Sequence, residues 1–220
     1  MRERGWQIAH ALMWRALTLT LSRRERELEC SFVATAEITG GILAGGEGRR
    51  LAGADKGLVR WRGQTLVQHV LAALKAQTTR QCISANRNLD VYACFGAPVV
   101  RDGDGSGPLA GLAALLAATE TDWLLCVPCD APLLPADLAQ RLLARAVEAH
   151  ALASFLHDGE SAHPTFCLVH RSLTASAHEA AAQSLGLGAW LNARGAVPLA
   201  AMAPLNLNTA EDFAALDAAP

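Results

Sequence analysis

The chain has 220 residues, 51% of them apolar and only 5% aromatic, with 19 basic against 21 acidic side chains. That length suits one domain with a substantial core of Ala, Leu and Val, and the near-neutral balance excludes a bulk attraction to nucleic acid. The six cysteines at 30, 82, 94, 126, 129 and 167 form no disulfide framework, so reduced, buried thiols and a cytoplasmic location are expected.

The first 37 residues do not match the rest. Ile8 to Leu21 is apolar but is interrupted by Arg15, and it is too short to span a bilayer. Ser22-Arg23-Arg24-Glu25-Arg26-Glu27 follows where a signal peptide would have its cleavage site. No membrane association is expected. The run from Leu17 to Glu27 is similar to peptides that arise when bacterial intergenic repeats are read as protein. Translation is therefore expected to start near Val33, with residues 1–37 a disordered or mis-annotated extension and 38–220 the domain. An amphipathic helix at 6–21 is the alternative.

From Ile38 the pattern alternates. Strands are expected at 38–44, 81–85, 98–100, 123–127, 151–156 and 165–169. Leu66, Val67, Val70, Leu71 and Leu74 carry the helical period, with Thr65 placed to cap. Further helices are expected at 108–118, nearly all Ala and Leu and so buried, and at 135–149, with Pro135 in its first turn and Asp137 near its positive end. Two more, at 172–183 and 209–217, close the chain, Thr209 capping the last. Strands alternating with helices predict an α/β fold, a single three-layer Rossmann-like domain with a mostly parallel sheet. In such folds ligands bind at the carboxyl ends of the strands.

The richest segment follows the first strand. Ile42-Leu43-Ala44-Gly45-Gly46-Glu47-Gly48-Arg49-Arg50 leads on to Gly53 and Asp55-Lys56-Gly57. Glycine allows close approach of backbone to ligand, and successive amides in such a loop form an anion-binding concavity. Arg49, Arg50 and Lys56 on the same loop make that anion a polyphosphate. The loop is neither a Walker A motif nor a dinucleotide fingerprint. It reads as a holder of a nucleoside triphosphate.

Three later segments fall at strand ends. Asp102 precedes Gly103, Gly105 and Gly107, an arrangement that could bind a metal or a base edge, or form a plain turn. Gly107-Pro108-Leu109-Ala110-Gly111 opens a helix whose N-terminus favours an anion, or serves only as a start signal. Trp123 to Val127 is an apolar strand, and Pro128-Cys129-Asp130 follows it. A carboxylate at the mouth of a buried strand is costly unless paired with a cation, and Mg²⁺ with triphosphate oxygens suits it. Asp130 stands too early to cap the helix at 135–149. Cys126 and Cys129 share metal spacing but have no second pair, so a structural role is expected. His157-Asp158-Gly159 and His163-Pro164-Thr165 read equally as metal or proton-transfer groups and as a hairpin turn. Asn206-Leu207-Asn208-Thr209 reads as a cap.

These motifs, in this order over residues 38 to 217, resemble those of the nucleotidyltransferases that build activated sugars and pterins, most of all the molybdenum cofactor guanylyltransferases. Leu43-Ala44-Gly45-Gly46, Asp55-Lys56-Gly57 and Pro128-Cys129-Asp130-Ala131-Pro132 carry the resemblance, while Ala52-Gly53 stands where that family has Gly-Gly. The resemblance implies transfer of GMP from GTP to the terminal phosphate of molybdenum-bound molybdopterin, with release of pyrophosphate. It implies that Leu43, Ala44, Gly45, Gly46 and Lys56 hold the triphosphate and that Arg49 stabilises the leaving group. Asp130, with Asp102 as a second candidate, would carry Mg²⁺. Ser84 (where some members have Asn), Asn86, Asp102, Gly107 and Pro108 would meet the nucleotide. His157, His163, Asn206 and Asn208 would face the pterin. Arg49, Lys56 and Asp130 form the implied catalytic set, and the acceptor phosphate, already an anion, needs no general base. Implied partners beyond the substrates are molybdopterin-synthesis proteins and apo-molybdoenzymes or their chaperones.

Two other readings stay open: a cytidylyl or sugar-phosphate nucleotidyltransferase of the same fold, and a non-catalytic nucleotide-binding protein that delivers cofactor. The resemblance implies guanine over cytosine, since Leu43-Ala44-Gly45-Gly46 stands where cytidylyl relatives read Leu-Ala-Ala-Gly. The joint presence of Arg49, Lys56 and Asp130 favours turnover over mere binding.

Overall fold

In a computed structural model, residues 36–45, 55–103, 107–207 and 212 are described. The apolar runs become strands: β1 (Ile38–Leu43), β2 (Arg60–Trp61), β3 (Gln64–Thr65), β4 (Arg80–Ser84), β5 (Val99–Val100), β6 (Trp123–Pro128), β7 (Ala153–His157), β8 (Ala162–His170) and β9 (Val197–Ala200). Between them lie α1 (Leu66–Lys75), α2 (Leu89–Ala93), α3 (Pro108–Ala118), α4 (Leu138–Glu148), α5 (Thr174–Ala182) and α6 (Leu187–Ala193). The expected extension at 1–35 and the expected helix at 209–217, apart from Asp212, lie outside the described residues, as do Gly46, Arg49, Arg50, Asn208 and Thr209.

Seven strands form one sheet in the order β5-β4-β1-β6-β8-β7-β9, with β2 and β3 a separate hairpin. Every pairing in the sheet is parallel except the two made by β8, which runs against its neighbours β6 and β7. α1 and α4 pack on one face and α3, α5 and α6 on the other, which gives the three layers expected.

Gly40 and Gly41 interrupt the apolar run of β1 for a packing reason. A Cβ on Gly40 would lie 2.9 Å from Thr78 Oγ1 and 3.1 Å from a Leu74 methyl, and one on Gly41 would lie 2.9 Å from Leu115 and Leu124 methyls. The helical layers thus approach the central strand closely on both faces. α3 is buried along most of its length, from Leu109 to Leu116, as its composition predicts. Truncating Leu112, which is fully buried, would cost about 2–5 kcal/mol.

Thr65 does begin α1: its N–H and its hydroxyl both donate to Gln68 Oε1, at 2.9 Å each, in a capping box. The expectation for 135–149 needs correction. Pro135 lies outside the helix, which starts at Leu138, and its carbonyl instead accepts the Leu138 N–H at 3.2 Å. Several short elements were not foreseen. The β2–β3 turn uses Arg62 (φ 47°) and Gly63 (φ 82°), the left-handed pair that suits a two-residue hairpin. β9 contains Pro198, tolerated because β9 is an edge strand.

The register fixes where a ligand would meet the sheet. Val100, Ser84, Leu43 and Pro128 are direct neighbours across β5, β4, β1 and β6. Their strands therefore end in one row.

Candidate active site

That row is extended by backbone bonds beyond the strands. Ala44 N–H donates to Ser84 O at 2.8 Å, Ala85 N–H to Val100 O at 3.0 Å, and Cys129 N–H to Leu43 O at 3.1 Å. Leu43, Ala44, Gly45, Ser84, Asn86, Asp102 and Asp130, all singled out from the sequence, are therefore brought to one edge. They divide into two groups on either side of β1.

On the β4–β5 side, Asp102 is the hub. Ser84 Oγ donates to its Oδ1, and Asn86 Nδ2 to its Oδ2 at 3.1 Å, while Asp102 N–H donates to Asn86 Oδ1 at 3.1 Å. Ser84 is fully buried, so its hydroxyl supports Asp102 and does not face open space. Gly45 passes directly over this hub: a Cβ there would lie 2.6 Å from Asp102 Oδ2. Gly107, in the left-handed region at φ 83°, turns the chain into α3, with Pro108 at its first position. In the first turn of that helix a Cβ on Gly111 would lie 2.7 Å from Leu43 and 2.9 Å from Ser84 Oγ. The start of α3 is thereby seated against the same strand ends.

On the β6 side, the Lys56 ammonium donates to Asp130 Oδ2. Asp130 Oδ1 is buried and accepts no hydrogen bond. The Asp130 carbonyl accepts the N–H of Leu207 at 2.8 Å, so the segment after β9 returns to this strand end. Leu207 is fully buried against Trp61 and Leu66, and Asn206 lies beside it.

His157 and His163 sit at the same end of the sheet. β8 runs antiparallel to β6, so its beginning lies at the end of β6, and His157 ends β7 paired with Ala162. His163 Nε2 bonds Asp158 Oδ2 at 2.7 Å, and Asp158 Oδ1 accepts the N–H groups of Glu160 (2.9 Å) and Ser161 (2.7 Å). Those backbone bonds and His163 hold the Asp158 carboxyl well below its ordinary range. His157 Nδ1 accepts the Gly159 N–H at 3.0 Å, with Gly159 at φ 101°. The geometry of a hairpin turn is thus present.

Cys126 and Cys129 are both buried and unbridged, and no metal-holding group of three or more His, Cys, Asp or Glu residues occurs among the described residues. Cys126 stands opposite Cys167 on β8, where contact between the two sulfurs and burial push its thiol pKa up. Burial, reinforced by the Asp130 carboxylate, pushes the Cys129 thiol up to about 12.

Sequence reasoning missed one cluster beside Lys56. Tyr92 Oη donates to Asp55 Oδ1 at 2.6 Å, and Asn88 Nδ2 donates to Asp55 Oδ2 at 2.9 Å. Tyr92 is the single tyrosine of the chain and is fully buried. That rarity was the only signal available beforehand.

The MobA-like NTP transferase domain matches residues 40–197. The molybdenum cofactor guanylyltransferase of Serratia proteamaculans is 44% identical over 183 residues, which cover 80% of this chain and 92% of that protein. Among solved structures, the molybdopterin-guanine dinucleotide biosynthesis protein A of Archaeoglobus fulgidus superposes with a TM-score of 0.68 at 19% identity, covering 80% of this chain and 95% of its own. A complex of Rv0371C of Mycobacterium tuberculosis with manganese superposes with a TM-score of 0.61 at 18% identity, covering 82% and 97%.

Proposed function

We propose, for a chain that belongs to the MobA-like NTP transferase family, that it is a nucleotidyltransferase that moves GMP from GTP onto the terminal phosphate of molybdenum-bound molybdopterin. The observation that carries this is the joining of the Asp55-Lys56-Gly57 turn to the Pro128-Cys129-Asp130 strand end through the Lys56–Asp130 ion pair. The match to guanylyltransferases over most of both chains supports the choice of base and acceptor.

The acceptor phosphate oxygen attacks the α-phosphorus of GTP. A phosphorus–oxygen bond forms, the α–β bridging bond breaks, and pyrophosphate leaves with the electron pair. The protein's task in such a transfer is to position groups and balance charge. Backbone amides at 43–46 and the Lys56 ammonium hold the triphosphate, with Arg49 on the leaving pyrophosphate. Asp102, fixed by Ser84 and Asn86, is a preorganised acceptor for N–H groups of the base. His157, His163 and Asn206, with Asn208 from the same motif, would meet the acceptor. The acceptor is ionised near neutral pH, so no side chain has to remove a proton.

Asp130 fits a divalent cation. Its Oδ1 is buried without a hydrogen-bond partner, a costly state that a metal relieves. Mg²⁺ needs only one or two protein carboxylates when phosphates complete its shell. Bound there, it would neutralise charge developing on the phosphates. A cytoplasmic location and hand-over of the product to apo-enzymes or their chaperones belong to the same proposal. No helix among the described residues is long and apolar enough to cross a membrane.

Thermal unfolding with GTP, CTP and ATP, each with and without Mg²⁺, tests nucleotide choice. GTP at about 100 times its Kd should add roughly 2.7 kcal/mol, or about 5–10 °C for a chain of this size. A larger shift with CTP would move the assignment to the cytidylyl branch.

A further inference from the structure

The turn that carries Lys56 is held by a fully buried side chain from α2, Tyr92. Asp55 occupies the N-cap of the short 3₁₀ turn Lys56–Leu58, where an aspartate ordinarily turns its carboxylate onto the turn's own N–H groups. Here it makes no such cap bond. Both oxygens are directed elsewhere, Oδ1 to Tyr92 and Oδ2 to Asn88. Two residues on, the backbone of Gly57 rests on the same phenol. A Cβ at Gly57 would lie 2.4 Å from Tyr92 Oη, so only glycine permits the approach. Tyr92 therefore meets the turn on both sides of Lys56.

The phenol is itself fixed. It is fully buried in the core layer that includes Val67, Val70 and Cys129, and Phe95 packs edge-on at 6.1 Å between ring centroids. Asn88, which enters α2 in the left-handed region at φ 50°, brings its amide to the second oxygen of Asp55. Lys56, set between Asp55 and Gly57, is thereby aimed at Asp130.

We infer that Tyr92 is a positioning residue for nucleotide binding: through Asp55, with Asn88 in support, it fixes the turn that presents the Lys56 ammonium to the triphosphate. The inference rests on the nucleotidyltransferase reading and adds to it a residue that no ligand touches. Burial and the Asp55 carboxylate both push the phenol's pKa upward, so the hydroxyl stays protonated and a donor near neutral pH. The alternative is that Tyr92 only fills the core, and then its ring matters and its hydroxyl does not.

Tyr92→Phe separates the two, because it keeps the ring and deletes one hydrogen bond to a charged group. The dissociation constant for GTP with Mg²⁺, read by calorimetry, should rise about 10- to 100-fold, while the KM for the pterin acceptor stays unchanged. The decisive measurement repeats the substitution in Lys56→Ala. If Tyr92 acts through Lys56, the second loss disappears there, since neighbours that share one effect are not additive. Asn88→Gly, which keeps the left-handed backbone, should weaken GTP in the same direction and guards against misfolding of Tyr92→Phe. Wild-type protein that binds GTP, with Tyr92→Phe and Asn88→Gly binding it equally well, would overturn the inference and leave the guanylyl reading intact. An equal loss in both Lys56 backgrounds would do the same. Failure of the wild type to bind GTP would remove that reading, and the inference with it.

Discussion

Lys56 and Asp130, 74 residues apart in the chain, are joined as an ion pair at the end of the central sheet, with their side chains only 20% and 14% exposed. One belongs to the turn after the glycine-rich loop and the other to the mouth of β6. Their contact unites the two strongest motifs of the sequence in one site. It also leaves the second oxygen of Asp130 buried without a hydrogen-bond partner.

Asp130→Ala should abolish GMP transfer while the fold persists, as read by pyrophosphate release and by circular dichroism. Lys56→Ala should cost about 2–4 kcal/mol in transition-state stabilisation, by the measure of lost charge-stabilising groups. Activity of Asp130→Ala within a few fold of wild type would remove the metal from this carboxylate. A rise confined to the pterin KM in Lys56→Ala would move that lysine to the other pocket.

Gly45→Ala should damage nucleotide binding through Asp102. The new methyl would stand 2.6 Å from Asp102 Oδ2 and must displace either the carboxylate or the loop. Overpacking of this kind costs about 1–3 kcal/mol, and calorimetry with GTP should show weaker binding. Unchanged affinity would take Asp102 out of the nucleotide site.

Acid should loosen the β7–β8 hairpin. The Asp158 carboxyl is held below its ordinary 3.8 when folded, so its stabilisation is present above that pH and is lost as pH falls through the folded value. Chemical denaturation of Asp158→Ala should show a deficit against wild type at neutral pH that shrinks below about pH 3.8. A deficit constant across that range would mean that the carboxylate's charge is irrelevant to the turn.

Thiol reactivity should follow burial. In a Cys30→Ser background, Cys94 is exposed and should react first with an aromatic disulfide reagent. Cys82, Cys126, Cys129 and Cys167 are buried, and burial drives the Cys82 and Cys129 thiols upward, so they should react only on unfolding. Fast labelling of Cys129 in the native protein would contradict its structural assignment.

α1 was legible because it buries one face, which imposes the helical period on the sequence, and the long strands and α3 because they are buried almost throughout and read as apolar runs. The strand-end residues followed from the rule that such sheets bind ligands at their carboxyl edge. The start of α4 was misjudged because Pro135 satisfies a start signal equally well one turn before the helix. β2, β3 and α2 are too short to show a period. The Tyr92–Asp55 contact escaped because it spans 37 residues and depends on the placement of a five-residue helix. The support that Ser84 gives Asp102 escaped for a related reason. Sequence showed both residues at strand ends but not that β4 and β5 would be adjacent.

The most direct test supplies the purified protein with molybdenum-bound molybdopterin, Mg²⁺ and either GTP or CTP labelled at the α-phosphate, and follows the label into a dinucleotide product. The account predicts GMP transfer matched by pyrophosphate release, with little product from CTP and none from Asp130→Ala. Preferred transfer of CMP, or no labelled dinucleotide from GTP, would contradict it.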